Sequence, residues 1–454
     1  MLASEAFIER LPFSRFHGRL LVLGGLGYLF DALDLGILSF VLPVLIVQWK
    51  LTAAQAGLIA SASYIGGIAG AFAAGHLGDA FGRRRVMIGA LALYTLATFG
   101  SAAAIGFASF LVARIVAGIG TSAESVIIAP YLSEFAAKRF RGRFVGTITG
   151  FFSFGFLLAA VLGYVLVSPT STSWRGVLVL TGLPIFVAIW WRRLPESPAW
   201  LESRGRGVEA HAVCQRIADS IPDPAARAAV PQRAEFENAG VGRDEDRDHP
   251  HHAPHAGFRD LFSRGMLRRT LVAAIVWTAM GLSYYAFLTW IPSLLVARGF
   301  TLSHSFGFSI LIFAAQVPGF FSAAWLNDRV GTRAVIALYL TIGSIAALVL
   351  AFAATSSAII AASVFLSFGM NGVYAGLYAY TPALFPARSR ASGQGFAIGL
   401  SRIGAMCSPF LVGVLYPVVG FIGVFGTTVA ILGTALVAIL FLAPRDIGGR
   451  AVVA

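Results

Sequence analysis

A chain of 454 residues that is 57% hydrophobic, only 12% charged and holds 50 glycines lies far from the soluble average and reads as a protein that crosses a membrane many times. Its only lysines, Lys50 and Lys138, are not preceded by glycine, so no G-x-x-x-x-G-K-[ST] phosphate cradle exists and ATP-driven pumping by this polypeptide is excluded. Cys214 and Cys407 give neither a disulfide framework nor a zinc site, and no cofactor or metal is expected.

Glu5 and Glu9 precede the first apolar run and no small-residue cleavage site follows, so no removable signal peptide is expected. Windows of about 20 apolar residues, enough to cross about 30 Å of hydrocarbon, then recur twelve times. They fall at 20–47, 55–78, 86–104, 108–132, 144–168, 174–191, 270–296, 304–326, 334–353, 357–382, 393–418 and 420–442. Each is expected to be a helix, because lipid offers backbone groups no other partner.

With the N-terminus in the cytoplasm, 29 of the 34 Lys and Arg fall in alternate loops on that side; Lys50, Arg175 and Arg298 lie outside, and Arg114 and Arg402 lie within spans. The charge of +13 therefore reports the positive-inside rule and not nucleic-acid binding. Residues 1–192 and 270–454 form two halves, and 193–269 a polar cytoplasmic linker with short helical pieces. The HPHHAPH run at 249–255 in that linker is read as solvated coil.

Sliding the chain along itself by 249 residues, without a gap, matches Pro43 with Pro292, Asp79 with Asp328, Gly82 with Gly331, Arg84 with Arg333, Tyr131 with Tyr380 and Arg141 with Arg390. The same shift pairs Gly146 and Gly150 with Gly395 and Gly399, and Gly155 with Gly404, all read as small-residue faces for helix packing. An all-α membrane protein of twelve helices follows, in two parallel, pseudo-symmetric six-helix halves with both termini cytoplasmic and a site between the halves near the midplane.

The run Gly75-His-Leu-Gly-Asp79-Ala-Phe-Gly82-Arg83-Arg84-Arg85, echoed at Asp328, Gly331 and Arg333, resembles the loop signature of the major facilitator superfamily. Arg114, Gly118, Gly120, Glu134, Arg141 and Pro195-Glu-Ser-Pro-Ala-Trp-Leu201 resemble motifs of its sugar-porter-like branch. Arg15-Phe16, Phe30-Asp31-Ala-Leu-Asp34, Phe40-Val-Leu-Pro43, Tyr284-Tyr285 and Trp290-Ile-Pro292 are similar to bacterial nicotinate (niacin) transporters and, more distantly, to synaptic vesicle glycoprotein 2 proteins. The resemblance implies a cytoplasmic gate drawn from Asp79, Gly82, Arg83, Arg84, Glu134, Arg141, Asp328, Arg333 and Arg390; Ala383 stands where the second half would repeat Glu134. Physical chemistry gives the turn a role as well: Asp79 can pair with Arg83 to Arg85 or cap a neighbouring helix, and Gly82 permits the tight turn.

Asp31 and Asp34 share a helix face at i, i+3, and with Glu124 and Arg402 they count to mid-bilayer depth. Charges there are costly, so they mark ion or substrate paths. Their repeat-mates are Met280, Ser283, Val373 and Ser153, so the scaffold itself does not need them. Desolvation and a neighbouring acid both favour a protonated carboxyl group, which makes Asp31, Asp34 and Glu124 the proton-coupling candidates. Arg402 offers a fork for a carboxylate, either a substrate's or Glu124's. Arg114 counts to near the outer face, where snorkelling or an interface pair accounts for it, leaving Arg402 as the only midplane cation. Tyr284, Tyr285, Asn371, Tyr374 and Tyr378 would strand polar groups in hydrocarbon unless they line a cavity.

The expectation is a monomeric secondary transporter of a bacterial inner membrane, importing a small aromatic monocarboxylate, above all nicotinate, with protons. Another aromatic acid, a sugar or export remain alternatives, as does a transport-inactive sensor on the same fold. No enzyme is expected, since no catalytic or metal-ligand constellation emerges.

Overall fold

The computed structural model describes residues 2–167, 173–183, 185–221, 230–232, 235–236, 261–386 and 389–444, apart from the side chains of 143, 390 and 391. Arg390's side chain and the HPHHAPH run therefore lie outside the described residues.

A short amphipathic helix, α1 (Ala3–Arg10), precedes α2 (Arg15–Gln48), α3 (Ala53–Phe81), α4 (Arg83–Ala102), α5 (Phe107–Ser133) and α6 (Lys138–Leu166). A sixth span is split into α7 (Ser173–Thr181) and α8 (Ile185–Trp191), and two short linker helices follow, α9 (Pro198–Ser203) and α10 (Gly207–Asp219). The second half holds α11 (Leu267–Ala297), α12 (Leu302–Ala314), α13 (Gln316–Val330), α14 (Thr332–Phe352), α15 (Ser356–Leu384) and α16 (Arg390–Val437).

Eleven helical runs among the described residues are long and apolar enough to span, against the twelve expected. The difference is α16, whose 48 residues would reach about 72 Å as one rod. It is two spans joined without a loop, because Gly420 adopts φ 64°, ψ −167° and turns the chain between them.

The repeat is visible in three dimensions. Shifting α3, α4 and α5 by 249 residues lands on α12 with α13, on α14, and on α15. Gly82 and Gly331 hold matching left-handed turns, φ 99° with ψ 144° and φ 86° with ψ 145°. The packing partners repeat too: α2 lies on α6 as α11 lies on α16, and α3 on α5 as α13 on α15. Gly155 admits the backbone of α2 at Leu29, and Gly404 that of α11 at Leu282, as small-residue faces should.

Gly146, Gly395 and Gly399 correct that expectation. Nothing stands within 4 Å of where a Cβ would lie on any of them, and Gly150 meets Phe321 of the other half instead. The two halves touch mainly away from the arginine-rich face. Gly57 packs on Pro409 and Phe410, the Phe410 amide donates to Ser61 Oγ at 3.1 Å, and Phe40 rings with Phe306 and Phe313. Gly146, Gly395 and Gly399 sit outside these contacts.

Beneath that face, α1 ties the linker helices to the first half. Glu202 of α9 caps α1 by accepting from the Ala3 and Ser4 amides at 2.8 and 3.1 Å, while Glu9 accepts from the Lys138 amide and from Arg141. Phe7, Ile8 and Leu11 are buried in the same cluster as Val213, Cys214 and Ile217 of α10.

Candidate transport site

The first half contributes the charges. Asp34 is fully buried and takes both terminal nitrogens of Arg114 in a bidentate pair at 2.9 and 2.6 Å, and Arg114 also donates to Ser63 Oγ at 2.9 Å. This corrects the snorkelling reading of Arg114, whose guanidinium is buried against Asp34. The apolar window began too late: α2 starts at Arg15, so Asp34 and Arg114 each lie about 28 Å from the arginine-rich ends of their helices at 1.5 Å per residue. Desolvation makes such a fork obligatory, since a lone charge at this depth has no other counterpart.

One turn back along α2, Asp31 accepts from Ser125 Oγ, while its second oxygen is buried without a hydrogen-bond partner among the described residues. Glu124 is 1% exposed and neither carboxyl oxygen has a hydrogen-bond partner among the described residues. It fits against Gly27, where a Cβ would come within 3.0 Å of Glu124 Oε1. Two acids with unused oxygens thus stand on facing helices, α2 and α5, a turn or so apart.

The second half supplies the aromatic wall. Tyr284 stands edge-on to Tyr285 and to Tyr374, with ring centroids 5.1 and 5.0 Å apart, and Tyr378 lies nearly parallel to Tyr374 at 6.3 Å. Trp277 closes the back of Tyr374 and Tyr378, while Tyr64 of α3 reaches across to Tyr285 at 5.0 Å. Tyr284 donates to Gln316 Oε1 at 3.1 Å, and Gln316 sits where helix α12 gives way to α13. Asn371 is buried, with its amide turned to the Ser367 carbonyl of its own helix at 3.4 Å.

Arg402 joins the halves. Its guanidinium donates to Ser122 Oγ at 2.8 Å, and among the described residues no carboxylate lies within 4 Å of it. Of the two partners open to it, Glu124 is therefore not engaged in this arrangement. Tyr28, whose hydroxyl donates to the Ser125 carbonyl, is within electrostatic range of Arg402, Asp31, Glu124 and Tyr378 together, so acids, cation and aromatic wall converge on one region. Sequence reasoning singled out the acids, Arg402 and the tyrosines and assigned Arg114 to snorkelling or an interface pair, while Ser122, Ser125, Tyr28, Tyr64 and Trp277 were not singled out. Arg114 had a usable signal: its repeat-mate is the neutral Ser363, the same asymmetry that marked Asp34.

At the cytoplasmic turn the pairing differs from the expected one. Arg83 pairs with Glu134, which also accepts from Ser197 Oγ, whereas Asp79 is exposed and forms no ion pair among the described residues. Only the Asp79 carbonyl is used, by Trp200 at 2.9 Å and by Arg204. Arg84 donates to the Leu194 carbonyl at 2.8 Å, and Arg141 to Glu9 at 3.3 Å. In the second half Asp328 is exposed, and Arg333 donates to the Ile439 and Leu440 carbonyls at 3.1 and 2.7 Å, in the π-helical turn Ala438–Leu442 that follows α16.

Twelve spans in two repeated halves around a charged, aromatic cleft define a multi-pass membrane transporter of the major facilitator fold, not an enzyme. Residues 33–444 match the family model described as "Sugar (and other) transporter", and the chain belongs to that family. The niacin transporter NiaP of Acinetobacter baylyi is 35% identical over 406 residues, covering 89% of this chain and 88% of the relative. A synaptic vesicle 2-related protein of Xenopus laevis is 28% identical, over 90% of this chain and 75% of its own length. The fold superposes on an inward-open structure of the Escherichia coli xylose transporter XylE with a TM-score of 0.74 at 18% identity, covering 94% of this chain and 95% of that one.

Proposed function

We propose that this chain is a proton-coupled importer of nicotinate or a closely similar aromatic monocarboxylate, acting as a monomer in a bacterial inner membrane. The observation that carries the reading is Arg402, a cation deep in the cleft that bonds Ser122 across the halves yet has no carboxylate within 4 Å among the described residues. A substrate carboxylate supplies the missing anion, and the tyrosine wall beside it suits a flat ring. The name of the Acinetobacter relative points to the same substrate.

The acids complete the cycle. Asp31 and Asp34 on α2 and Glu124 on α5 are the proton carriers: Asp31 and Glu124 hold unused oxygens, and Asp34 trades Arg114 for a proton when the pair opens. Alternating access follows from rocking the two halves about the cleft. The turn at Asp79, Gly82, Arg83 and Arg84, with Glu134 and Arg141, is the cytoplasmic latch; here Arg83 holds Glu134, while Asp79 is exposed and forms no ion pair among the described residues. Asp328, Arg333 and Arg390 are its weaker counterpart. Gating changes accessibility more than affinity, so Asp79→Asn should raise cytoplasmic accessibility with little change in substrate binding.

Calorimetry with nicotinate, nicotinamide and a hexose tests the substrate class. The acid should bind best, and the amide should discriminate little between wild type and Arg402→Met. Equal affinity of wild type for acid and amide would remove Arg402 from the substrate site, and preference for the hexose would replace the proposal with a sugar porter.

A further inference from the structure

We infer that a second anion site, specific for a phosphoryl group, lies outside the transport path between the turn that starts α4 and the linker helices α9 and α10. A cavity of about 230 Å³ there is lined by Arg84, Arg85, Arg206 and Arg216, with Glu196 and Glu209 as its only acids among the described residues. Both acids are already committed. Glu196 accepts from the backbone amides of Arg84 and Ser197, both at 3.1 Å, and Glu209 is held by Arg206 in a bidentate pair at 2.7 and 2.6 Å.

The remaining cations have no carboxylate in direct contact among the described residues. Arg85 and Arg216 have no carboxylate within 4 Å among the described residues, and Arg216 donates only to a carbonyl of its own helix, Ala212 at 3.3 Å. Arg84 spends one terminal nitrogen on the Leu194 and Arg192 carbonyls at 2.8 and 3.4 Å, but its Nε is buried with no partner among the described residues. Arg84 and Arg85 also stand in the first turn of α4, where the helix dipole repels cations and draws anions. Four arginines gathered against that dipole, with two acids spent, leave an excess of about two positive charges, which matches a phosphate dianion. Two free guanidinium forks suit its several oxygens better than they suit chloride.

The phosphoryl group has two possible sources, a soluble phosphate or the headgroup of an anionic phospholipid at the cytoplasmic leaflet, and the test separates them. The full-length protein in neutral detergent is titrated with inorganic phosphate, with chloride at matched ionic strength as control, while its thermal midpoint is followed. In parallel it is reconstituted into phosphatidylcholine vesicles with and without phosphatidylglycerol, and retained lipid is weighed by native mass spectrometry. Saturable stabilisation by phosphate beyond chloride supports the site with a soluble ligand, whereas stabilisation and retention by phosphatidylglycerol alone supports it with a lipid headgroup. In either case Arg216→Gln should weaken the apparent affinity about tenfold, the loss of one charged hydrogen bond. Arg216→Lys should recover part of it, and both variants should keep the wild-type midpoint without added anion. A response equal to that of chloride, or one unchanged in Arg216→Gln and Arg85→Gln, overturns the inference.

Discussion

The two halves share a scaffold and differ in what they put at its centre. The first half buries Asp31, Asp34, Arg114 and Glu124; the second has Met280, Ser283, Ser363 and Val373 at those positions. Conversely, Tyr284, Tyr285, Tyr378 and Arg402 face Leu35, Gly36, Ala129 and Ser153 under the same shift. Because both halves fold to the same helix arrangement, neither the charges nor the aromatic wall is needed to build it. Under the proposed function, this difference assigns proton chemistry to the first half and ligand recognition mainly to the second.

The largest effect expected from disturbing this division is at the buried pair. Asp34→Asn leaves Arg114 uncompensated at full burial and should cost about 3–5 kcal/mol of stability, read as a lowered thermal midpoint. The double change Asp34→Ser with Arg114→Ser installs what the second half carries and should be the milder of the two, because no charge is stranded. If the double variant is as unstable as the single one, the pair is structural glue and the halves are less interchangeable than their packing suggests.

Next in size is Arg402. Arg402→Met should weaken nicotinate binding by about 1.5–3 kcal/mol, the range for hydrogen bonds to a charged group. Arg402→Lys should fall between it and wild type, since it keeps the charge but not the fork. Calorimetry on the three proteins orders them, and indistinguishable affinities would return the arginine to a purely structural role.

A smaller contrast sharpens the comparison at the cytoplasmic turns. Gly82 and Gly331 share a left-handed backbone, so alanine strains both by about 1 kcal/mol. At Gly82 the new Cβ would also stand 2.5 Å from Glu196 Oε2, while at Gly331 it meets nothing within 4 Å. Gly82→Ala should therefore lower the thermal midpoint more than Gly331→Ala. Smallest of all, Tyr285→Phe should scarcely change nicotinate affinity, whereas Tyr285→Ala should cost about 0.5–1.5 kcal/mol of ring contact.

Most of the architecture was legible in the sequence because spanning helices obey a length rule that lipid enforces. The boundaries of α3 and α5 fell within a few residues of their apolar windows, and the 249-residue repeat anticipated the paired turns at Gly82 and Gly331. Pairing at the site was less legible. The contact between Asp34 and Arg114 depends on where α2 begins, and its first turns, from Arg15, are too polar to be counted in an apolar window. The partners of Asp31 and Arg402 are Ser125 and Ser122, residue types too common in packed membrane helices to stand out. Tyr64 and Trp277 were hidden among many aromatic residues, since only the crossing of α3 and α11 brings Tyr64 to Tyr285. The docking of α1 on α9 and α10 rests on Glu202 capping a distant helix, a contact without local sequence signature.

The division of labour is tested most directly by comparing two transport modes in proteoliposomes: accumulation of labelled nicotinate on an imposed proton gradient, and its exchange across the membrane with no gradient. Wild type should do both. Asp31→Asn and Asp34→Asn, taken singly, should cut accumulation, with at least one abolishing it while exchange persists, and Arg402→Met should lose both modes at concentrations that half-saturate wild type. Undiminished accumulation by both aspartate variants, or exchange preserved in Arg402→Met, would contradict the account.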